Sequence, residues 1–474
     1  MLFSFSALLF FQISTYHYET LDWDINAFLV TSLEFGRGNL PFEYQYENKP
    51  PLLFAIFYLF SIIMNKSLVY INLLNDLIIC LILGQTIFLF NTNKREIKIN
   101  NFLPGLIFIL LISNVWFHPS YSEYLSLFFI VSALLIYKKL NSIYKYFLIG
   151  SLLALSSLIN IGTSIFLVCF LIIYFIQEKK IINKIFSTLL GFGFIHTISI
   201  SVYFFRGALE EYIMAMLFIP LSYGGTEFSF SNSITVFLTN FISYSFYIYL
   251  LLLISISIAL FKVSIIVRNQ NIKLENIEII LLIIFSLLFY YLAGKGYYHH
   301  LIFFLYFVSL SSVWIKNISN TKYFAIFVFF TLFLSLNQFK DQTFENIQNF
   351  NSIEDNYPVK SAAKVIIEKE LDYDNIFSSE HVLLLYYLDK QNSSYIVHPA
   401  LYDYEEITSV LIGYNKITEN EIYNNTKKNQ SIIEGSKIEN INNDFYELDF
   451  KILNPKLLNY WDTNSKLKIY ISKK

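Results

Sequence analysis

Long apolar runs alternate with short polar segments along most of the first 338 residues. A helix needs about 20 mainly apolar residues to cross a bilayer, and fewer where its polar ends reach the interface. Such runs lie at 2–16, 68–90, 103–117, 122–137, 146–159, 161–177, 184–205, 235–262, 277–294, 299–315 and 322–338. They predict an α-helical polytopic membrane protein with about eleven transmembrane helices. The first run lacks a basic start and a small-residue cleavage site, which favours a retained helix over a signal peptide.

One further apolar run, 51–64, determines the predicted orientation. If it crossed the membrane, every later loop would change sides. If it lies along the outer surface, the cytoplasmic loops hold 14 Lys and Arg residues and the opposite loops hold 5. Positive residues favour the cytoplasmic side, so the amino terminus is predicted inside and the chain after residue 338 outside. The Pro50-Pro51 pair suits the start of an interfacial helix, because the first helical positions need no internal N–H partner.

The distribution of charged residues divides the chain into two segments. Lys, Arg, Asp and Glu total 34 in residues 1–338 and 36 in residues 339–474. The second segment alternates predicted helices at 358–371 and 380–388 with predicted strands at 375–378, 394–398, 445–450 and 467–472. The Asn-rich stretch 415–443 is predicted to be loop. We therefore predict a transmembrane domain, 1–338, followed by an extracytoplasmic α/β domain, 339–474.

Composition narrows the possible functions. Only 15% of the residues are charged, against roughly 25% in soluble domains, which makes a soluble enzyme a poor interpretation. The net charge of −2 gives no support for a nucleic-acid partner. Cys80 and Cys169 lie in apolar runs and are interpreted as small buried hydrophobic residues. The chain is predicted to be an integral protein of the cytoplasmic (inner) membrane.

The first predicted outer loop, 17–67, is much longer than the other outer loops and concentrates charged residues. Asp22 and Asp24 lie two residues apart, and Glu47 and Lys49 precede the interfacial run. A carboxylate at the lipid boundary can act as a general base or hold a cation, and a lysine can neutralise a phosphate. The alternative is that these four residues are solvated loop charges.

Three segments of this loop resemble a known superfamily. They are Asp24-Ile25-Asn26-Ala27-Phe28, Gly38-Asn39-Leu40-Pro41-Phe42 and Glu47-Asn48-Lys49-Pro50-Pro51-Leu52-Leu53-Phe54. Their order and spacing resemble the first periplasmic loop of C-type (GT-C) membrane glycosyltransferases. Within that superfamily, the loop looks most like those of bacterial relatives of protein O-mannosyltransferases and aminoarabinose transferases.

The resemblance implies an inverting enzyme that moves a sugar from a polyprenyl-phosphate carrier to a lipid, glycan or protein acceptor at the outer membrane face. Asp24 would be the catalytic acid of the loop, activating the acceptor or helping to bind a cation. Lys49 would hold the carrier phosphate, and Glu47 would orient Lys49 or the sugar. Ile25 stands where the family usually has Glu, and Asp22 is a partial substitute for that acid.

Further segments of the membrane domain follow the same family pattern. Glu123, within His118–Phe129, takes the position of an acid at the outer end of a span, although a helix-capping role is a serious alternative. Lys295, His299 and His300 match a late outer loop that meets phosphate or sugar, with interfacial anchoring as the alternative. Arg206 is a possible helper at the phosphate. A divalent cation held by Asp24 with Glu123 or His17 is possible, and no other cofactor is predicted.

Four other polar residues, named below, give weaker indications of function. Asn160 stands where relatives often carry lysine. His196 lies well inside a predicted span, where the alternative to a functional role is a hydrogen bond to a neighbouring helix. His381 and His398 are interpreted as ordinary surface or turn histidines.

Two other functions remain open. A transporter or flippase for lipid-linked sugars would also be polytopic, although the sequence lacks the internal repeats and broken helices typical of that class. A non-catalytic assembly protein of an envelope polysaccharide system would keep the loop for lipid binding alone.

Overall fold

The computed structural model describes residues 2–19, 22–90, 101–113, 117–178, 181–223, 246–268, 277–293, 297–317, 321–418, 430–434, 445–448 and 467–473. These residues are mostly helical. The α-helices are α1 (Leu2–Ile13), α2 (Trp23–Ser32), α3 (Pro51–Ile63), α4 (Leu68–Phe90), α5 (Leu103–Leu111), α6 (Ser122–Lys139), α7 (Lys145–Ser157), α8 (Ile165–Gln177), α9 (Ile181–Arg206), α10 (Leu209–Ile213), α11 (Ile219–Tyr223), α12 (Phe246–Arg268), α13 (Ile277–Leu292), α14 (Ile302–Leu310), α15 (Thr321–Gln348), α16 (Pro358–Glu368), α17 (Leu383–Leu388) and α18 (Glu405–Gly413).

Each predicted span coincides with a helix at least in part. Within the described residues, four helical segments are long and apolar enough to cross a membrane: Leu68–Phe90, Ile181–Arg206, Phe246–Ser264 and Tyr323–Gln348. Others, such as α5 and α7, are shorter. The structure thus supports a helical membrane protein, while the number of eleven spans and their orientation stay predictions. The run predicted to be interfacial is helix α3, which carries proline at its start as expected.

The chain forms two compact units. The first comprises Met1–Ser14, Asn75–Ser199 and Gly224–Phe344, and the second comprises Thr15–Leu74, Ile200–Tyr223 and Glu345–Lys474. The predicted domain boundary at residue 338 was drawn from charge, whereas these units follow packing. That boundary therefore stays a prediction.

The first unit is a helical assembly with close backbone approaches. A Cβ on Gly150 of α7 would collide with the backbone of Thr188 in α9, and one on Gly191 would collide with Phe147 O. Glycine is thus needed where these helices meet, as in other membrane helix pairs. His196 of α9 lies 2.9 Å from Ser157 Oγ at the end of α7, which confirms the expected bond between helices.

The same unit buries small polar groups in pairs. Thr86 Oγ1 lies 2.7 Å from Tyr306 Oη, and Ser156 donates to Thr163 Oγ1 at 2.9 Å. Cys80 and Cys169 are buried free thiols, as predicted. Along the part of α9 that belongs to this unit, by contrast, many large apolar side chains are exposed, including Ile182 and Phe186. Such exposure suits a helix that faces lipid rather than water.

The second unit contains the sheet. Its strands are β1 (Ile376–Ser378), β2 (Ile432–Glu434), β3 (Phe445–Glu447) and β4 (Ile469–Ser472), in the order β1-β2-β4-β3. β1 and β2 are parallel, with Ile376 opposite Ile432, and the other two pairs are antiparallel. Helices α17 and α18 lie in the connection from β1 to β2, as a parallel crossover requires.

The predictions for residues 339–474, here called the tail, were right for most elements and wrong for two. β1, β3, β4 and α16 lie within their predicted ranges, although residues 449–450 of the third predicted strand lie outside the described residues. Ser394–His398 is not a strand, since only an isolated bridge joins Ile396 to Tyr46. β2 lies inside the stretch predicted as loop. Its apolar run is too short for periodicity to reveal, and burial of Ile432 and Ile433 forms the strand instead.

Candidate functional site

Asp22 lies directly before helix α2, and Asp24 lies within it. Asp22 is the N-cap residue, with extended backbone, and its Oδ1 accepts the backbone N–H of Asp24 at 2.9 Å. An aspartate in this position satisfies a helix N–H that has no partner within the helix. Asp24 lies in the first turn of α2. The structure therefore gives Asp22 a capping role, and the catalytic roles predicted for Asp22 and Asp24 stay predictions.

Asp24 is paired with a histidine from the tail. His398 Nε2 lies 2.7 Å from Asp24 Oδ1, and the side chain of Asp24 is 23% exposed. The backbone N–H of Ala400 donates to His398 Nδ1 at 3.1 Å. In the neutral imidazole, Nδ1 is therefore the acceptor and the ring proton lies on Nε2, where it is donated to Asp24. The imidazole thus holds one oxygen of a partly accessible carboxylate.

An isolated parallel bridge brings these segments together. Tyr46 N donates to Tyr395 O at 2.6 Å, and Val397 N donates to Tyr46 O at 3.1 Å. The side chain of Gln45 reinforces the contact by donating to Asn392 O and Ser394 O. Glu47 follows the bridge on one segment, and His398 lies two residues beyond it on the other. The contact of the first loop with the tail therefore assembles the site.

The interpretation of His398 as an ordinary surface or turn histidine was wrong. Its side chain is buried and paired with a carboxylate. Burial by itself lowers the pKa of His398, but the hydrogen bond to Asp24 and the charges of Glu47, Asp24 and Asp22 raise it to about 9. The Ala400 amide acts in the opposite direction, because it binds the unprotonated Nδ1. His398-Pro399 carried no local signal of this pairing, because the partner is distant in the chain.

Glu47 is a buried carboxylate with little compensation. It is 1% exposed. Burial raises the pKa of Glu47; His398 and Lys49 lower it while Asp24 raises it, with a net value of about 7. Apart from the backbone N–H of Asn48, which also lowers its pKa, this carboxylate has no well-formed hydrogen-bond partner among the described residues. A buried polar group of this kind is commonly explained by a ligand or by catalysis. Glu47 is therefore poised to bind a ligand group and to hold or release a proton near neutral pH.

The glycine-containing part of the loop is held by a residue that the sequence did not indicate. Glu34 is fully buried and accepts hydrogen bonds from Arg37, Asn39 and Gln391. Gly38 between them has φ of 78°, a conformation that favours glycine. The role of Glu34 could not be predicted from its neighbours in the sequence, because Gln391 reaches Glu34 only in the folded chain.

Arg206 helps to hold the same loop. It donates from Nη2 to Gly38 O at 2.6 Å and pairs with Glu43 Oε1 at 3.2 Å. Glu43 in turn accepts the backbone N–H of Leu40. These contacts give Arg206 a structural role in the loop, and its role as a phosphate helper stays a prediction.

Glu123, His299 and His300 lie in the first unit and form a cluster of their own. All three are buried, and their ligand atoms lie within 4.8 Å of one another. Glu123 accepts from Asn160 Nδ2 at 3.0 Å and from Ser122 Oγ at 3.1 Å. Glu123 is thus buried and hydrogen-bonded in the first turn of α6, and its catalytic role stays a prediction. Asn160, noted only as a departure from the family pattern, is thus a direct partner of the acid.

The described residues suggest a different cation site from the predicted one. A carboxylate and two imidazoles match the ligands that zinc and similar ions prefer, and Glu123 with His299 and His300 supplies them. Neither of the two clusters with metal-ligand spacing in the described chain contains Asp24 or His17. His17 Nδ1 instead lies 3.2 Å from Asn346 Nδ2. Lys295 lies outside the described residues.

Comparison of the chain with protein-family models, curated proteins and solved structures returned no match.

Proposed function

We propose that this chain is an inverting glycosyltransferase that moves a sugar from a polyprenyl-phosphate donor to an acceptor at the outer face of the cytoplasmic membrane. The observation that carries the proposal is the site around Asp24. A partly exposed carboxylate, oriented by His398, lies in one group of interacting charges with a buried carboxylate, Glu47, and a lysine, Lys49. These are the residues to which the sequence resemblance assigns base, sugar and phosphate roles.

Each residue has a task in the proposed reaction. The acceptor hydroxyl gives its proton to Asp24 as its oxygen forms a bond to the anomeric carbon on the face opposite the phosphate. The bond from that carbon to the phosphate oxygen breaks, and its electron pair leaves with the polyprenyl phosphate. The Lys49 ammonium stabilises the negative charge that develops on this leaving group. Glu47 binds a sugar hydroxyl, and His398 is a positioning residue that keeps Asp24 in place.

The alternatives use the same residues differently. A flippase or an assembly protein would need donor binding by Lys49 but no base at Asp24. The pairing of Asp24 with His398 favours the transferase, because an orienting hydrogen bond on a carboxylate is typical of a group that must meet a reacting atom with defined geometry.

The test compares glycans in the native host after deletion of the gene and complementation. Wild-type protein should restore the missing glycan. Asp24→Asn should lower transfer by about 10²- to 10⁴-fold, the usual worth of a general base, while the protein still inserts. Asp355→Asn, an exposed carboxylate in the same unit, is the matched control and should restore transfer fully.

The location of the accumulated donor separates the alternatives. Without a transferase, polyprenyl-phosphate sugar should accumulate with its sugar accessible at the outer face. Without a flippase, it should remain at the inner face. Full transfer by Asp24→Asn would refute its role as base, and an inner-face accumulation would refute the transferase.

A further inference from the structure

A second cluster of ligating side chains lies in the tail, at the carboxyl ends of two parallel strands. Ser378, the last residue of β1, is opposite Glu434, the last residue of β2. Glu380 and His381 follow directly after β1. In open α/β sheets, ligands bind where the carboxyl ends of neighbouring parallel strands open into a crevice. We call Glu380, His381 and Glu434 the tail cluster.

One carboxylate oxygen of Glu434 accepts three hydrogen bonds, and these fix the direction in which the other oxygen points. Oε2 accepts from Ser378 Oγ at 2.7 Å, from His381 N at 3.0 Å and from Glu380 N at 3.2 Å. Oε1 is buried and has no hydrogen-bond partner among the described residues. The Ser378 hydroxyl and two backbone N–H groups thus hold the carboxylate by one oxygen and leave the other to face a ligand.

His381 is also buried without hydrogen-bond partners among the described residues, and this holds for both of its ring nitrogens. Its side chain is 0% exposed. The interpretation of His381 as an ordinary surface or turn histidine was therefore wrong. Buried imidazoles normally donate from one nitrogen and accept at the other. A metal ion satisfies both a neutral imidazole nitrogen and a carboxylate oxygen.

We infer that the tail cluster binds a divalent transition metal ion of the zinc type. Ligand atoms of all three residues lie within 4.8 Å of one another. Two ligands of one zinc ion lie at most ~4.2 Å apart, twice the bond length of about 2.1 Å, so small side-chain rotations close the site. The imidazole selects against magnesium and calcium, which prefer oxygen ligands. Three protein ligands leave a fourth position for water or another ligand.

This inference is independent of the proposed glycosyl transfer. The ion would bridge the turn after β1 to the end of β2 and so stabilise the parallel strand pair. None of the residues assigned to the reaction belongs to the tail cluster, so either proposal can fail alone.

The test measures metal binding by the full-length protein in detergent. The protein carries Glu123→Gln, so that the cluster of Glu123, His299 and His300 contributes less to the measured metal binding. It is stripped of metal with a chelator and titrated with Zn²⁺. We expect one Zn²⁺ equivalent. His381→Phe and Glu434→Gln should weaken it by about 100-fold or more, because loss of outer-shell partners alone costs 10- to 100-fold. Glu368→Gln, an exposed carboxylate of α16, should leave it unchanged.

A spectroscopic readout covers the case in which these variants fail to fold. Co²⁺ bound to His381→Cys should show the intense thiolate charge-transfer absorption that wild-type protein lacks. Absence of that band in a folded His381→Cys variant would overturn the inference. Equal Zn²⁺ affinity and stoichiometry of the Glu123→Gln protein with and without His381→Phe would also overturn it. Failure of the Glu123→Gln protein to take up Zn²⁺ would do the same.

Discussion

His398 Nε2 lies 2.7 Å from Asp24 Oδ1, although 374 positions separate the two residues in the chain. The imidazole is fixed on its other side by the Ala400 amide. Asp24 is fixed by its place in the first turn of α2, behind the Asp22 cap. A loop near the amino terminus and a turn near the carboxy terminus thus share one hydrogen bond at the candidate site.

His398 should make stability depend on pH. Its pKa is about 9 in the folded protein and 6.5 when unperturbed, so the folded state holds the proton more tightly. The stabilisation is therefore complete below about pH 6.5 and is lost as pH rises through about 9. Glu47, with its pKa raised to about 7, acts in the same direction between pH 4.5 and 7. Unfolding midpoints of the detergent-solubilised protein between pH 5 and 10 measure this trend.

The contribution of His398 is isolated by substitution. His398→Gln should flatten the fall in stability between pH 7 and 9. His17→Gln, a histidine paired with Asn346 in the same unit, is the control and should keep the wild-type slope. Parallel curves for wild type and His398→Gln would show that the pairing does not shift the pKa of His398.

Asp22 should behave as a helix cap rather than as a catalytic acid. Asp22→Asn keeps an oxygen that can accept the Asp24 N–H, so stability and sugar transfer should both remain near wild type. Asp22→Ala removes the cap and should cost about 1 kcal/mol in unfolding free energy. Chemical denaturation and the transfer assay measure the two effects. Loss of transfer in a stable Asp22→Asn protein would return Asp22 to the catalytic set.

The crossing of α7 and α9 should tolerate no added methyl group. Gly150→Ala and Gly191→Ala would each force a Cβ into the backbone of the other helix, and a clash with backbone is not relieved by rotamer changes. Each should destabilise the protein by about 1–3 kcal/mol or more. Apart from Gly193, its chain neighbours and the nearby backbone of its own helix, no described atom lies within 4 Å of the Cβ position at Gly193, so Gly193→Ala is the control on the same helix. Equal unfolding midpoints for all three variants would contradict the close approach.

Single added cysteines test the orientation inferred from loop charge. Both native cysteines are buried, so they should react slowly with maleimides. Tyr44→Cys lies in the predicted outer loop, and Ile143→Cys lies in a predicted cytoplasmic loop; both positions are exposed. A membrane-impermeant maleimide should label the first in intact cells and the second only after permeabilisation. The reverse pattern would invert the topology.

Periodicity was sufficient wherever an element is long and uniform. The helix of residues 68–90 was predicted to the residue, and the run beginning at Pro51 forms a helix as expected, because apolar runs of this length have no competing local structure. Short elements were harder. β2 spans only Ile432–Glu434 inside a polar stretch, and a segment of three residues becomes a strand only when its neighbours supply the hydrogen bonds.

The sequence by itself determined the helical membrane character of the chain, the α/β character of the tail and the choice of Asp24, Glu47 and Lys49 as candidates. The first two follow from local composition and short-range spacing, and the third from the clustered loop charges together with the sequence resemblance of the first loop. Only the tertiary structure decided that His398 pairs with Asp24, that Asp22 caps α2, and that Glu34 is joined to Gln391. The pairings of His398 and Glu34 with distant residues arise from the return of the tail to the first loop, and hydrogen bonds between distant segments leave no local pattern in either of them.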